Sequence, residues 1–390
     1  MRSSALRAPL LGSLGLVLAL AACDRDSTAP EAETALSPAV VGTSAGGAVY
    51  TSTNGASANA ILAFRRADNG ALTALGSFPT GGRGTGGAVD PLASQYAVIL
   101  SADHRLLFTV NAGSNDVTSF QVADDGSLSL ADRQSARGTL PVSLATRDGL
   151  LYVLDAGDNT VTGIRVNPQG KLIPIPQGTQ SLATGAAGAS TIHFSADGRS
   201  LIVTERVANR LETLAVEPGG RLGAPVVTAS SGTVPFGFDV TNGGVAVVSE
   251  AGGTQATAPN SAISSYSDGG SGGLSLVTGS IDAGGKAACW VVVTAGGTAF
   301  VANSASDAIA SVRVNGDGTL ALLDAAAAAT PAGATPIDID LSSGDRFLYA
   351  LEAGSGSIGV FAVNGAGLTA GTAVPTGAAG ASGLQGIAAY

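Results

Sequence analysis

The sequence predicts an all-β fold, a seven-bladed β-propeller of four-stranded antiparallel blades. Three observations predict it. A four-residue frame with apolar residues at both ends recurs seven times, at intervals of about 44 to 56 residues, the spacing of propeller blades. Every copy has the same neighbours on both sides. The composition, with 56 glycines and 12 % charged residues, suits short strands and tight turns rather than long helices.

The N-terminal elements are read first. Arg2 and Arg7 form a short basic region, and Leu10–Ala22 is an apolar run that stops at small residues. This is the layout of a secretory signal, too short for a spanning helix. Its end, Leu20-Ala21-Ala22-Cys23, resembles the lipobox of bacterial lipoproteins. That resemblance implies a signal peptide over 1–22 and acylation of Cys23 as the first mature residue. Residues 23–45 are small, polar and proline-containing, which reads as a flexible tether. The protein is then expected in the bacterial cell envelope, held to a membrane only through a lipid anchor.

Residues 46–390 carry the repeat. The frame appears as Ile61–Phe64, Val117–Phe120, Val161–Ile164, Leu211–Leu214, Ile263–Tyr266, Ile309–Val312 and Ile358–Phe361. Upstream of each lies an apolar strand, such as Leu107-Phe108, Leu151-Tyr152 or Leu348-Tyr349. Downstream, a turn leads into a strand opened by Gly-x-Leu, as at Gly70, Gly126, Gly170, Gly220, Gly272 and Gly318. Asn69-Gly70, Asp125-Gly126 and Asp317-Gly318 suit tight hairpins, because these backbones tolerate positive φ. A further strand precedes each unit, as in Pro141–Ala145 and Pro336–Asp340, which gives four strands per blade. The first copy lacks that inner strand, and the chain ends on an inner-strand pattern, Gln385–Ala389. The C-terminus is therefore expected to complete blade 1 and close the ring.

Charge and cysteine content narrow the partners. A formal charge of −10 argues against nucleic acid and anionic membrane surfaces, which need a basic footprint. Two cysteines, one of them Cys23, leave Cys289 without a disulfide partner. Gly82–Gly87 satisfies G-x-G-x-x-G, but it joins strands of neighbouring blades rather than a strand to a helix, so it does not read as a dinucleotide site.

Several stretches together resemble the lactonase-like seven-bladed propellers, the family of 6-phosphogluconolactonase-type and 3-carboxymuconate cyclase-type proteins. They are Pro91–Gln95, Leu107–Asn115, Val203-Thr204-Glu205, Pro235–Phe238 and Ala288–Val293. The resemblance spans about residues 47–390 and implies hydrolysis of a lactone. It also implies a His where a blade's inner strand begins, and there this chain departs from the pattern. The matching position is Ser190, while His193 lies three residues on and His104 lies at the opposite rim.

Two sets of residues carry the candidate chemistry. The second strands end on Thr53, Asn111, Asp155, Glu205, Glu250, Asn303 and Glu352. Asn and Asp are ordinary turn residues, but Glu bonds nearby backbone poorly and needs another reason. Glu205 is the candidate general base and Arg206 its oxyanion partner, with Gln95, Arg210, Glu250, Asp338 and Glu352 as substrate-binding candidates. Solvated rim charges paired with nearby arginines are the structural alternative, and convergence on calcium or magnesium is another. No other cofactor is expected. The second set, Ser94, Gln95, Ser143, Ser190, Thr191, Cys289, Asp338 and Gln385, begins the inner strands around the channel mouth. It suits a sugar-like ligand or ordered water. Cys289 has no base to make it a nucleophile, so it reads as a buried structural residue beside a packing Trp290.

Two functions follow: a hydrolase opening a sugar-acid or related lactone at the channel mouth, or a non-catalytic surface propeller that binds a ligand or an envelope protein. A monomer is expected for either.

Overall fold

The computed structural model describes residues 46–183, 188–253, 260–268, 272–378 and 383–390. The signal sequence, Cys23 and the tether lie outside the described residues. Seven antiparallel sheets follow one another along the chain. Blade 1 holds Gly47–Ser52, Ala60–Arg66 and Leu72–Pro79, and blade 2 holds Val98–Leu100, Leu106–Asn111, Asp116–Val122 and Leu128–Ser135. Blade 3 comprises Pro141–Arg147, Leu150–Asp155, Thr160–Val166 and Leu172–Ser181; blade 4 comprises Ala189–Phe194, Ser200–Glu205, Arg210–Ala215 and Val226–Ala229. Blade 5 runs Thr233–Val240, Val245–Gly253, Asn260–Asp268 and Leu274–Lys286; blade 6 runs Ala288–Val293, Thr298–Asn303, Ala308–Val314 and Leu320–Ala329. Blade 7 has Pro336–Leu341, Phe347–Glu352, Ser357–Asn364 and Gly367–Ala370, with Val374–Pro375 added to its third strand.

The C-terminal strand Gln385–Ala389 pairs antiparallel with blade 1, placing Ala389 opposite Val49 and Ile387 opposite Thr51. Each inner strand neighbours the next blade's inner strand, and the last meets the first, so the ring closes around a central channel. We call the end where inner strands begin and second strands finish the upper face, and the opposite end the lower face.

The recurring Gly-x-Leu has a physical reason. At Gly70, Gly126, Gly170, Gly220, Gly272 and Gly318 φ lies between +81° and +88°, a conformation that disfavours any side chain. The carbonyl of each accepts a hydrogen bond from the preceding blade. Tyr349 donates to Gly70, Tyr50 to Gly126 and Tyr152 to Gly220, each at 2.9 Å. Ser119 donates to Gly170, Thr213 to Gly272 and Ser265 to Gly318. The motif is thus a docking point between blades, and its tyrosines are buried with their hydroxyls satisfied.

Two blades depart from the repeat. In blade 4 Leu222 makes only an isolated bridge to Val216, and the outer strand forms later, at Val226–Ala229. In blade 2 the inner strand shrinks to three residues, because the chain before it leaves the sheet to enter the channel.

Candidate active site

Of the seven residues that end the second strands, Asn111, Asp155, Glu205, Glu250, Asn303 and Glu352 are buried, and Thr53 is half-buried. A solvated rim is therefore not their setting. In blades 2, 3, 5 and 6 the segment leading into the blade folds over them. A Cβ on Gly82 would meet the Asn111 carboxamide at 2.4 Å, and one on Gly138 would meet the Asp155 carboxyl at 2.5 Å. Gly232 over Glu250 and Gly285 over Asn303 repeat the arrangement. Glu250 accepts bonds from the Gly232 N–H at 2.8 Å and the Ser264 hydroxyl at 2.6 Å, and Glu352 accepts one from Ser357 at 2.8 Å. Burial raises the pKa of both carboxyls.

Adjacent in sequence, Glu205 and Arg206 part in space. Glu205 is ion-paired with Arg210, which also holds Glu212 at 3.0 Å and the Ala183 carbonyl. Burial pushes the Glu205 carboxyl up to about 7, with Arg210 pulling it back and Glu212 adding to the rise. The expected pairing of Glu205 with Arg206 is thus replaced by a lock within blade 4, of Glu205, Arg210 and Glu212, which also holds the Ala183 carbonyl of the incoming chain. Among the described residues no group of three or more His, Cys, Asp or Glu is placed to hold a metal ion. The acidic residues that end the second strands belong to separate blades.

The central channel is plugged. Residues Leu92–Tyr96 cross it and bond to the inner strands of blade after blade. Ser94 donates to the Val142 carbonyl at 2.8 Å, and its own carbonyl accepts from the Trp290 indole at 2.9 Å. Gln95 gives its amide to Val291 at 2.8 Å, and its carbonyl takes the Ser143 hydroxyl at 2.6 Å. Ser190 donates to the Ala93 carbonyl at 2.7 Å, and Tyr96 to Phe238 at 3.0 Å. Gln95, Ser143, Ser190 and Trp290 are therefore occupied in closing the channel. These polar groups satisfy the channel-facing edges of the inner strands, which would otherwise be exposed edges.

Above the plug a different cluster assembles. The inner strands of blades 3, 4, 6, 7 and 1 carry an extra residue near their start, at Val142, Ser190, Cys289, Asp338 and Gly386. Such bulges re-aim side chains. Around them stand Asp90, Arg206 and Gln385. Asp90 is half-buried and accepts the Gln385 amide at 3.2 Å; burial raises its carboxyl to about 7 against the opposing charge of Arg206. Asp338, buried, is held well above the carboxylate range by desolvation and by the nearby Asp340, and it accepts the Ile387 N–H at 3.3 Å. Burial likewise pushes the Cys289 thiol up, consistent with an inert residue. The Nε of Arg206 is buried without a hydrogen-bond partner, while its backbone N–H bonds Gly188 at 3.0 Å.

Of the sequence candidates, then, Arg206 and Asp338 each stand near Asp90. Gln95 lies in the plug, and Glu205, Arg210, Glu250 and Glu352 lie within blades or beneath turns. Asp90 escaped the sequence reading. Its signal was available: strand alternation fails over Asp90–Gln95, which marks a segment outside the ladder.

The lower face holds two adjoining spaces. A cavity of about 780 Å³ lies among the lower turns of blades 2 to 5, lined by Asp103, Arg147, Asn167, His193, Ser195 and Asn242 among others. A second, of about 260 Å³, lies beneath the plug and is lined by Tyr96, His104, His193, Asp340 and Ile387 among others.

Against this geometry the comparisons can be placed. Residues 84–181 and 172–257 match the family model described as Lactonase, 7-bladed beta-propeller. Over these residues the chain is similar to the lactonase-like propellers. No curated protein matches the sequence. A proposed 6-phosphogluconolactonase from Bacteroides fragilis superposes with a TM-score of 0.68 at 15 % identity, covering 90 % of this chain and 100 % of that one. The periplasmic gluconolactonase of Pseudomonas aeruginosa gives 0.65 at 18 % identity, covering 87 % and 98 %. Virginiamycin B lyase from Staphylococcus aureus gives 0.51 at 13 %, covering 74 % and 86 %. Such low identities establish likeness of fold, and folds of this kind carry more than one chemistry.

Proposed function

We propose that this lactonase-like propeller hydrolyses a sugar-acid or related lactone at the upper mouth, with Asp90 as general base and Arg206 as the oxyanion-stabilising group. One observation carries the reading. A buried guanidinium nitrogen without a partner stands near a carboxyl whose burial holds it near neutrality. A group titrating near the working pH is suited to general-base chemistry. The Asp90 carboxylate takes a proton from water as the water oxygen attacks the lactone carbonyl. Arg206 donates N–H bonds to the oxyanion that develops. Collapse of the tetrahedral intermediate breaks the ring C–O bond, and Asp90 returns its proton to the leaving alkoxide. The product hydroxy acid then releases one proton to solvent. Asp338, kept protonated, donates to a substrate hydroxyl.

The alternative, a non-catalytic surface propeller holding a ligand or an envelope protein, is favoured by Ser190. Where related propellers carry a His, this chain has a serine that bonds the plug. Either activity would operate outside the cytoplasm if Cys23 is acylated, which the mass of the mature N-terminus reports. A proton-release assay on δ- and γ-lactones of sugar acids tests the reading. Wild type should exceed buffer, and Asp90→Asn should lose about 10²–10⁴-fold. Wild type no faster than buffer across the panel would favour the binding reading.

A further inference from the structure

The lower cavities are not used by the proposed reaction, from which the plug separates them. They share Ser101, Ala102, Ala145, Thr146 and His193, so they adjoin as an outer and an inner chamber. The combined space is that of a small-molecule site.

His193 stands at the junction with its ring fixed on several sides. Tyr96 lies 5.2 Å away in a tilted contact, and Phe238 lies 6.2 Å away edge-on. Its Nδ1 is 2.9 Å from the Phe194 carbonyl oxygen, which can only accept, so Nδ1 carries the proton. In the neutral ring Nε2 is then an acceptor, and it has no partner among the described residues.

The surroundings favour a cationic donor. Asp340 lines the inner chamber beside Val98, Ile387 and Ala388, and each of its oxygens accepts one backbone N–H, from Ala389 and Leu341, both at 2.8 Å. Each carboxylate oxygen keeps a second lone pair. Asp239 stands close to His193, and Asp103 and Asp148 line the outer chamber. The cation in that lining, Arg147, is committed to the Ser195 and Ala196 carbonyls and to Asp148. A carboxylate partly withdrawn from solvent is stabilised by a paired positive charge.

We propose that the two chambers form a binding site for a small organic cation, a protonated amine on a body of about sugar-ring size, its ammonium between His193 Nε2 and the Asp340 carboxylate. The amine gives one N–H to each acceptor, and the aromatic ring of Tyr96 flanks the charge. The body occupies the outer chamber. An anionic sugar acid, the product class of the upper site, is excluded by the same charges.

Calorimetric titration of the full chain tests this. The probes are glucosamine and cyclohexylamine, with N-acetylglucosamine and cyclohexanol as their uncharged counterparts and gluconate as the anion. At least one amine should bind saturably, at least tenfold more tightly than its uncharged counterpart, with no binding of gluconate. Asp340→Asn keeps an acceptor for the Ala389 N–H, though not for that of Leu341, and should weaken amine binding at least tenfold in a chain that circular dichroism shows to be folded. His193→Gln should weaken it similarly. Lactone hydrolysis by His193→Gln should equal wild type. Binding of neither amine, equal binding of an amine and its uncharged counterpart, or wild-type affinity in both variants would overturn the proposal.

Discussion

Two regions of the upper face use similar side chains to opposite ends. Within the blades, Asp155, Glu205, Glu250 and Glu352 are buried beneath turns or in clefts, and Glu205 is locked by Arg210. At the mouth, Asp90 and Arg206 stand near each other without a direct ion pair within 4 Å, and the Arg206 Nε has no partner. Arginine and carboxylate are common to both. In the first case the arrangement is closed, and its energy goes into fixing the strands of a blade and the chain that enters it. In the second the polar capacity is open and can meet a substrate. Residue type at the end of a strand is thus a poor guide to role; what covers the residue decides it.

Removal of residues 383–390 should have the largest effect, because it undoes both regions together. Blade 1 loses its inner strand, Asp90 loses Gln385, and Arg66 loses the Tyr390 carbonyl. The open edge should cause aggregation, or lower the melting temperature by roughly 10 °C or more. Thermal melting within a degree or two of the full chain would show that the ring does not depend on this closure.

Glu205→Gln comes next and separates the regions. Removing one member of a buried ion pair should cost about 2–4 kcal/mol, read by denaturant unfolding. The rate on any lactone the wild type hydrolyses should stay within about twofold. A variant of full stability and lost activity would return Glu205 to the reaction and break the comparison.

Asp155→Asn gives the smallest effect at mildly acidic pH and one that grows with pH. Burial raises its carboxyl from 3.8 to about 9, so the folded chain holds a proton that the unfolded chain has released. The stability this contributes is complete below about pH 4 and is lost as pH rises towards 9, by up to about 1.4 kcal/mol per pH unit. Asp90, Glu205 and Asp340 act in the same direction up to about 7. Wild type should therefore melt lower at pH 9 than at pH 5, and Asp155→Asn should flatten that fall. Equal slopes in the two proteins would show that Asp155 is not held protonated.

Most of the architecture was legible in the sequence, and little of the site. Frame and second strand recur in every blade, and Gly-x-Leu in six of the seven, because each blade must dock on the next, so the repeat and the closing strand Gln385–Ala389 stand out by period. The site depends on departures from the repeat. Leu92–Tyr96 has the composition of an inner strand yet fills the channel, which no local pattern announces. Burial of Glu205 comes from Arg210 and the chain around Ala183, near it in space rather than beside it in sequence. His193 fits the inner-strand pattern, and the cavities it joins arise from turns of several blades.

The pH dependence of kcat/KM for lactone hydrolysis, measured in wild type, Asp90→Asn and Arg206→Gln, tests the central claim most directly. Wild-type activity should rise with pH through an apparent pKa of about 7, as Asp90 loses its proton. Arg206→Gln removes the charge that favours the carboxylate, so its midpoint should move upward as its maximum rate falls. Asp90→Asn should abolish the rise. A wild-type midpoint near 7 that persists unchanged in both variants would place the base elsewhere and contradict the account.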